Sequence, residues 1–144
     1  MAQRRLFAHH WLMALGARVQ PPAGPTNPYD LFGVGYAYKV PTGDTPIEPI
    51  KRVDMFTRFF HGRGTWEFEA EVIWVDGPDG RELVASYAPL VVYFRPTEPV
   101  RDYVFVLRNI PLPGLGRYRI YLRALKPRRR FPLAIEFFEV VRKP

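Results

Sequence analysis

The sequence predicts an all-β fold, an antiparallel β-sandwich of jelly-roll-like architecture with about eight or nine strands. Three observations support this prediction. Short apolar segments recur along the chain and are separated by turns rich in Gly, Pro and Asp. In the clearest segments apolar and polar residues alternate with a period of two, as in a strand with one buried face. No segment of 11 residues has the 3.6-residue periodicity of an amphipathic helix.

Three strands are predicted in the first part of the chain. Leu6–Leu15 fits a short helix or a strand, and we predict a strand because the later segments are all β and a first strand can complete a sheet edge. Leu31–Val40 lies between two proline-rich loops. Four of its residues are expected on one side of the strand: Val34, Tyr36, Tyr38 and Val40. Val53–Phe60 is apolar and ends at the Gly-containing segment 61–64.

The clearest alternation lies in Thr65–Val75. Apolar residues of this strand alternate with three glutamates, Glu67, Glu69 and Glu71. The turn Asp76-Gly77-Pro78-Asp79-Gly80 joins it to Arg81–Tyr87, which predicts an antiparallel hairpin. Two carboxylates are too few for a calcium site, which takes about six to eight oxygen ligands, so this segment is interpreted as a turn.

Four more strands are predicted in the second half. Leu90–Arg95 and Tyr103–Arg108 show no alternation, and both faces of these strands are therefore expected to be covered. Arg117–Arg123 alternates again. A basic turn at residues 126–130 then leads to the last strand, Pro132–Val141.

Two motifs mark the entries into strands. One is Gly62-Arg63-Gly64-Thr65-Trp66-Glu67-Phe68 with the later Asp79-Gly80, and the other is Pro111-Leu112-Pro113-Gly114-Leu115-Gly116-Arg117-Tyr118. Over residues 29–141 this order resembles a loose bacterial family of small β-sandwich domains of unknown function. The resemblance implies a sandwich fold and no particular activity.

Residue counts restrict the possible chemistry. The chain has no cysteine, which excludes disulfides, thiolate metal sites and cysteine nucleophiles. Its one serine, Ser86, lacks the Gly-x-Ser-x-Gly context of a hydrolase. The histidines are His9, His10 and His61, and adjacent His9 and His10 are expected to point to opposite faces of a strand, where they cannot chelate one ion. We predict a protein that is not an enzyme and has no metal or other cofactor.

Size and composition predict one domain spanning residues 1–144. Arg4 and Arg5 precede an apolar segment and so imitate a secretory leader, but His9 and His10 interrupt it, and we expect a cytoplasmic protein. Seventeen arginines against four lysines, with 16 prolines, fit either a thermophilic or a high-GC source.

The net charge of +7 arises in the last third of the chain. Residues 1–100 carry 10 basic and 11 acidic groups, whereas residues 101–144 carry 11 basic and 3 acidic groups. The candidate polyanion-binding residues are Arg108, Arg117, Arg119, Tyr121, Arg123, Arg128, Arg129 and Arg130. Guanidinium groups that bind phosphates, beside a ring that stacks on a base, are typical of β domains that hold single-stranded nucleic acid.

Within this set, four residues form one face of the predicted strand 117–123. We call Arg117, Arg119, Tyr121 and Arg123 the arginine row, and Arg108 is expected on a neighbouring strand. The three glutamates of Thr65–Val75, the glutamate row, have the same period. If the two rows are neighbours in one sheet, their charges pair and phosphate binding is confined to Arg128–Arg130.

The predicted strands carry more apolar residues than the interior of one sandwich can hold. The following residues are expected to compete for cover: Phe56, Phe60, Val91, Tyr93, Val104, Val106 and Phe138. Part of this surface is expected to meet a second copy of the chain, another protein or the N-terminal segment. The sequence therefore favours a binding module that acts through protein contacts and self-associates, with single-stranded nucleic-acid or polyanion binding as the alternative.

Overall fold

The computed structural model describes residues 5–14, 37–43 and 46–143 in full and the backbone of residues 16–19 and 29–32. These residues contain ten strands and no helix, and none of them lies in a helix long and apolar enough to cross a membrane. The strands are β1 (Phe7–Ala14), β2 (Gly16–Val19), β3 (Tyr29–Phe32), β4 (Ala37–Val40), β5 (Ile50–Phe60), β6 (Gly64–Trp74), β7 (Glu82–Phe94), β8 (Val100–Ile110), β9 (Gly116–Lys126) and β10 (Ala134–Arg142).

Two sheets contain eight of these strands. One sheet has three strands in the order β1-β5-β8, and the other has five in the order β4-β10-β9-β6-β7. Strands β2 and β3 pair separately as a two-stranded ribbon. Every described pair is antiparallel except β4 with β10, which is parallel. The prediction of a mostly antiparallel, all-β sandwich is confirmed.

The core between the two large sheets is rich in aromatic side chains. Phe59 of the three-stranded sheet lies 5.2 Å, between ring centroids, from both Phe68 and Phe94 of the five-stranded sheet. Phe105 meets Phe59 and Phe68 at 6.2 and 6.1 Å. Large apolar rings contribute most of the burial energy at such a contact, so these four side chains hold the sheets together.

Strand β6 shows the predicted alternation. Trp66, Phe68, Ala70 and Val72 are buried, while the glutamate row lies on the opposite, half-exposed face. The predicted hairpin with β7 is also observed, and its turn is closed by a 3.0 Å hydrogen bond from Gly80 N to Gly77 O.

Residues 7–14 form a strand, as predicted, and β1 is an edge of the three-stranded sheet. Leu15 lies outside the described residues. The indole of Trp11 crosses to the other sheet and donates a 3.0 Å hydrogen bond to the backbone carbonyl of Ile120. This buried bond fixes the edge strand on the core.

The expectation that His9 and His10 point to opposite faces is wrong. The register of β1 against β5 shifts between Ala8 and His10, which is a β-bulge. The extra residue cancels the alternation at this point, because two residues of β1 then oppose one of β5. The two imidazole rings therefore meet edge to face, with their centroids 4.3 Å apart.

Strand β7 is longer than predicted and is exposed on one face. It runs through Leu90–Phe94 without a break, because Pro89 lies in an edge strand at a shift of register against β6. A missing N–H is tolerated at such a position. Within one copy of the chain the outer face is not covered here, since Val91 and Tyr93 are 49% and 54% exposed. Cover by a partner stays a prediction.

In β8 the side chains alternate after all. Phe105 and Leu107 are buried, whereas Val104 and Val106 are only half-buried. Two other residues expected to compete for cover, Phe56 and Phe138, are buried. Phe60 is half-buried and stacks on Phe7 of β1 with centroids 4.9 Å apart, so the N-terminal segment supplies part of the cover.

The segment predicted as one strand, Leu31–Val40, contains the end of β3 and all of β4. Val34 and Tyr36 lie outside the described residues. Tyr38 and Val40 both pack on the core, in agreement with the predicted shared side.

Candidate anion-binding groove

The arginine row lies on the outward face of β9. This strand occupies the middle of the five-stranded sheet, between β10 and β6. Its inward side chains, Tyr118, Ile120 and Leu122, are fully buried. The alternation that was apparent in the sequence is therefore present, and the row faces solvent.

The glutamate row is the direct neighbour of the arginine row. In the antiparallel register of β6 with β9, Glu69 lies opposite Arg123 and Glu71 opposite Tyr121. Arg123 Nε donates to Glu71 Oε1, an ion pair across the two strands. One arginine and one glutamate of the two rows thus pair within one sheet.

Arg117 is held by the turn between β6 and β7. Its guanidinium donates to both carboxylate oxygens of Asp76, with Nη2 at 2.7 Å from Oδ1, and its backbone N–H donates to Oδ2 at 2.8 Å. These side-chain and backbone hydrogen bonds lower the pKa of Asp76 to about 2. Arg117 therefore has a permanent anionic partner at neutral pH.

The remaining members of the arginine row are stacked on rings. The guanidinium carbon of Arg119 lies 5.3 Å from the ring centroid of Phe137, and that of Arg123 lies 5.2 Å from the ring of Tyr121. A ring that is covered by a cation offers less area for a base. The expectation that Arg108 neighbours this strand is wrong, because Arg108 is in β8 and belongs to the other sheet.

Arg128–Arg130 lie on the connection between β9 and β10. Backbone hydrogen bonds fix both ends of this connection: Arg129 N donates to Ala124 O at 3.3 Å, and Leu133 N donates to Leu122 O at 2.7 Å. Opposite the connection lies the chain that enters β1. Between them is an open groove of about 720 Å³. Its charged and aromatic side chains, which define the basic groove, are Arg5, Phe7, Trp66, Arg128, Arg129, Arg130 and Phe131.

Arg129 connects the two walls of the basic groove. Its guanidinium stacks on Trp66, 5.1 Å from the ring centroid, and donates a hydrogen bond to the carbonyl of Leu6. Burial, and secondarily the positive charge of Arg5, lower the pKa of Arg129. An anion in the groove would relieve this crowding of positive charge.

The other arginines of the groove have no acidic partner. Arg5, Arg128 and Arg130 are exposed, and no carboxylate of the described residues forms an ion pair with them. The guanidinium carbon of Arg130 lies 5.3 Å from the ring centroid of Phe131, so it covers one face of that ring. Phe131 is 70% exposed and Phe7 is 43% exposed. The lining thus combines cations with rings and contains no Asp or Glu.

Two other depressions are less suited to an anion. One, of about 270 Å³, lies beside Arg119 and Phe137 and includes Glu139. The other, of about 380 Å³, lies beside Lys39 and includes Glu48. Each contains a carboxylate that would repel phosphate, so the basic groove is the best candidate site among the described residues.

Four residues of the basic groove were missed by sequence reasoning: Arg5, Phe7, Trp66 and Phe131. Arg5 and Arg129 are 124 positions apart, and no local pattern brings them together. Phe131 directly follows the three arginines, and this aromatic residue beside a basic run was a usable signal.

Comparison with known proteins shows similarity at the level of the fold. No family model matches the chain, and no curated protein matches it. A similar solved structure is the alkylpurine DNA glycosylase of Pseudomonas fluorescens, bound to DNA that contains an abasic-site analog, with a TM-score of 0.53 and 7% sequence identity. The match covers 97% of this chain and 31% of the glycosylase. This chain is therefore similar in fold to a part of that enzyme and spans about a third of its length.

Proposed function

We propose that this chain is a non-enzymatic binding module whose basic groove holds single-stranded nucleic acid. The observation that carries the proposal is the lining of the groove, in which four arginines and two exposed phenylalanines occur without a carboxylate. Arginines of such a groove bind the phosphates, and exposed rings stack on the bases. A cytoplasmic location, where nucleic acid is available, is part of the proposal.

The arginine row is assigned a different role. Because Arg117 pairs with Asp76 and Arg123 pairs with Glu71, their charge is largely cancelled locally. A phosphate would have to break these pairs, whereas it displaces no carboxylate of the described residues from Arg128 or Arg130. The proposal therefore assigns phosphate binding to the groove, and leaves the arginine row as an ion-paired surface.

The similar glycosylase structure contains DNA, and this supports a nucleic-acid ligand only as an analogy of fold. Our proposal transfers neither its base chemistry nor its substrate to this chain. The chemistry of the groove itself favours a single strand, since rings that stack on bases need bases that are not already paired.

The test is binding of fluorescently labelled oligothymidine, measured by anisotropy. We expect the parent protein to bind and Arg128→Ala/Arg130→Ala to bind at least about tenfold more weakly, because two phosphate contacts are lost. Phe131→Ala should weaken binding by about 1–3 kcal/mol through loss of one stacked base.

The matched control is Arg119→Ala/Arg123→Ala, which removes the same charge from the arginine row. It should bind like the parent. Equal weakening by the two double variants would show that only net charge matters and would contradict the groove. If the protein bound heparin more tightly than the oligonucleotide, and Phe131→Ala bound the oligonucleotide like the parent, the ligand would be a polyanion without bases and not nucleic acid.

Self-association is a second candidate function. The outward face of the five-stranded sheet exposes Val91 and Tyr93 of β7 and Ile135 and Phe137 of β10 on either side of the paired rows. A twofold axis in the plane of this contact, parallel to β6 and β9 and between them, would place the glutamate row of one copy against the arginine row of the other. We therefore propose a second copy as the occupant.

Light scattering tests this second proposal. The parent should have a dimer mass at tens of micromolar, and Tyr93→Lys/Phe137→Lys should be monomeric because two like charges enter the apolar contact. A monomeric parent would exclude the dimer, and an unchanged dimer in the double variant would show that this face is not its interface.

A further inference from the structure

His9 and His10 bring two ring nitrogens together on the outward face of the three-stranded sheet. His9 Nδ1 and His10 Nε2 are 3.0 Å apart. The two nitrogens form a hydrogen bond in which one imidazole donates its N–H to the other. When the donor ring takes its other tautomer, both nitrogens carry a lone pair, and one cation can then bind between them. The bulge in β1 creates this arrangement, because a regular strand separates adjacent side chains to its two faces.

The separation of the nitrogens fits a metal chelate. Two imidazole nitrogens that each lie about 2.0–2.1 Å from an ion and subtend a right angle are about 2.9 Å apart. Ligands at right angles are typical of the square-planar or tetragonal sites of Cu²⁺ and Ni²⁺. Imidazole is also a ligand that these borderline ions prefer.

We propose that His9 and His10 form a two-histidine chelating site for a divalent transition-metal ion, with Cu²⁺ as the ion that it binds most tightly. The order of affinities follows from the Irving–Williams series, in which Cu²⁺ exceeds Ni²⁺ and Zn²⁺. In the described residues no group of three His, Asp or Glu side chains could hold a metal, so the other coordination positions belong to water.

The surroundings keep the site available. His9 is exposed and His10 is half-buried, which leaves room for a hydrated ion. Arg58 is paired with Asp102 at 2.7 Å, so its charge is balanced beside the site.

The third histidine provides a matched control. The ring of His61 lies 5.8 Å from that of Phe7, between centroids, on the same face of the protein. Nothing in the geometry brings it to the His9–His10 pair as a third ligand within the described residues. His61→Gln should therefore leave metal binding unchanged.

In the experiment, tag-free protein is titrated with CuCl₂. Calorimetry measures the affinity and the stoichiometry, and electron paramagnetic resonance identifies the coordinated nitrogens. We expect one Cu²⁺ per chain with two coordinated nitrogens. Since removal of an outer-shell partner alone costs about 10–100-fold in metal affinity, removal of a direct ligand in His9→Gln or His10→Gln should cost at least that. Circular dichroism without metal confirms that each variant is folded, as both sites lie at the surface.

Three results would overturn the proposal: a parent without a bound Cu²⁺, a bound Cu²⁺ that His9→Gln and His10→Gln retain at parent affinity, or a loss of affinity in His61→Gln equal to that in the other variants. The second result would place the ion elsewhere on the chain. None of these results depends on the nucleic-acid groove.

Discussion

At the scale of single residues, the partner of each arginine decides what that arginine can do. Arg117 and Arg123 are bound to carboxylates of neighbouring strands and turns, while Arg128 and Arg130 face an acid-free groove. The same side chain therefore stabilises the fold in one place and remains available to a ligand in another.

The Asp76–Arg117 contact predicts how stability changes in acid. The pKa of Asp76 is lowered to about 2 in the folded protein, and an unfolded Asp titrates at about 3.9. The contribution of Asp76 is present above the unfolded pKa and is lost as the pH falls through the folded pKa. Thermal melts between pH 5 and about 2 should show a steeper loss in the parent than in Asp76→Asn.

Asp79→Asn is the matched control, because Asp79 lies in the same turn, is exposed and has no bond to Arg117. It should follow the parent. Parallel melting curves for the parent and Asp76→Asn over this pH range would show that the Asp76 contact contributes nothing to stability.

For Glu136 we predict that its contribution to stability depends on pH in the opposite direction. It is buried, and this burial raises its pKa, although its carboxylate accepts a 2.8 Å hydrogen bond from Phe137 N. A raised pKa contributes stability below the unfolded pKa of about 4.3, and that contribution is lost as the pH rises through the folded pKa. Glu136→Gln should therefore gain stability relative to the parent between pH 4 and pH 7, measured by urea denaturation.

Glu139→Gln, on the exposed face of the same strand, should show no such gain. A difference between Glu136→Gln and the parent that is constant with pH would contradict the assignment of a raised pKa to Glu136.

At the scale of the strands, the sequence predicts which face of a strand is buried but not how the strand pairs with its neighbours. The alternation in β6 and β9 identifies their buried faces correctly, because each side chain there faces either the core or solvent. The bulge at His9 and the continuation of β7 through Pro89 are not visible in the pattern, since both depend on the register with a partner strand. The groove depends on contacts between distant segments and was predicted only through Arg128–Arg130.

The edge strand β1 depends on one buried hydrogen bond. Trp11→Phe keeps an aromatic ring in the core but leaves the carbonyl of Ile120 without its 3.0 Å donor. A buried hydrogen bond contributes about 0.5–1.5 kcal/mol, so the urea midpoint should fall while the slope of the transition stays unchanged.

Trp74→Phe is the control for this prediction. The indole of Trp74 donates a similar 3.1 Å bond to Leu115 O at an exposed site, where water replaces the lost donor. A loss of stability as large in Trp74→Phe as in Trp11→Phe would show that the buried bond has no special role.

At the scale of the whole molecule, a chain with a net charge of +7 distributes its charge unevenly over the fold. On the five-stranded sheet Arg117 and Arg123 are paired with Asp76 and Glu71, whereas the lining of the basic groove contains no carboxylate. Because the groove joins the entry to β1 with the connection between β9 and β10, the N-terminal segment and the basic C-terminal third contribute to one site.

The salt dependence of oligothymidine binding tests this account most directly. Each phosphate neutralised on a single strand contributes about 0.7 to the slope of log K against log salt. The slope for Arg128→Ala/Arg130→Ala should be about 1.4 smaller in magnitude than that of the parent, and Arg119→Ala/Arg123→Ala should keep the parent slope. A parent that does not bind at low salt, or a groove variant with the parent slope, would contradict the account.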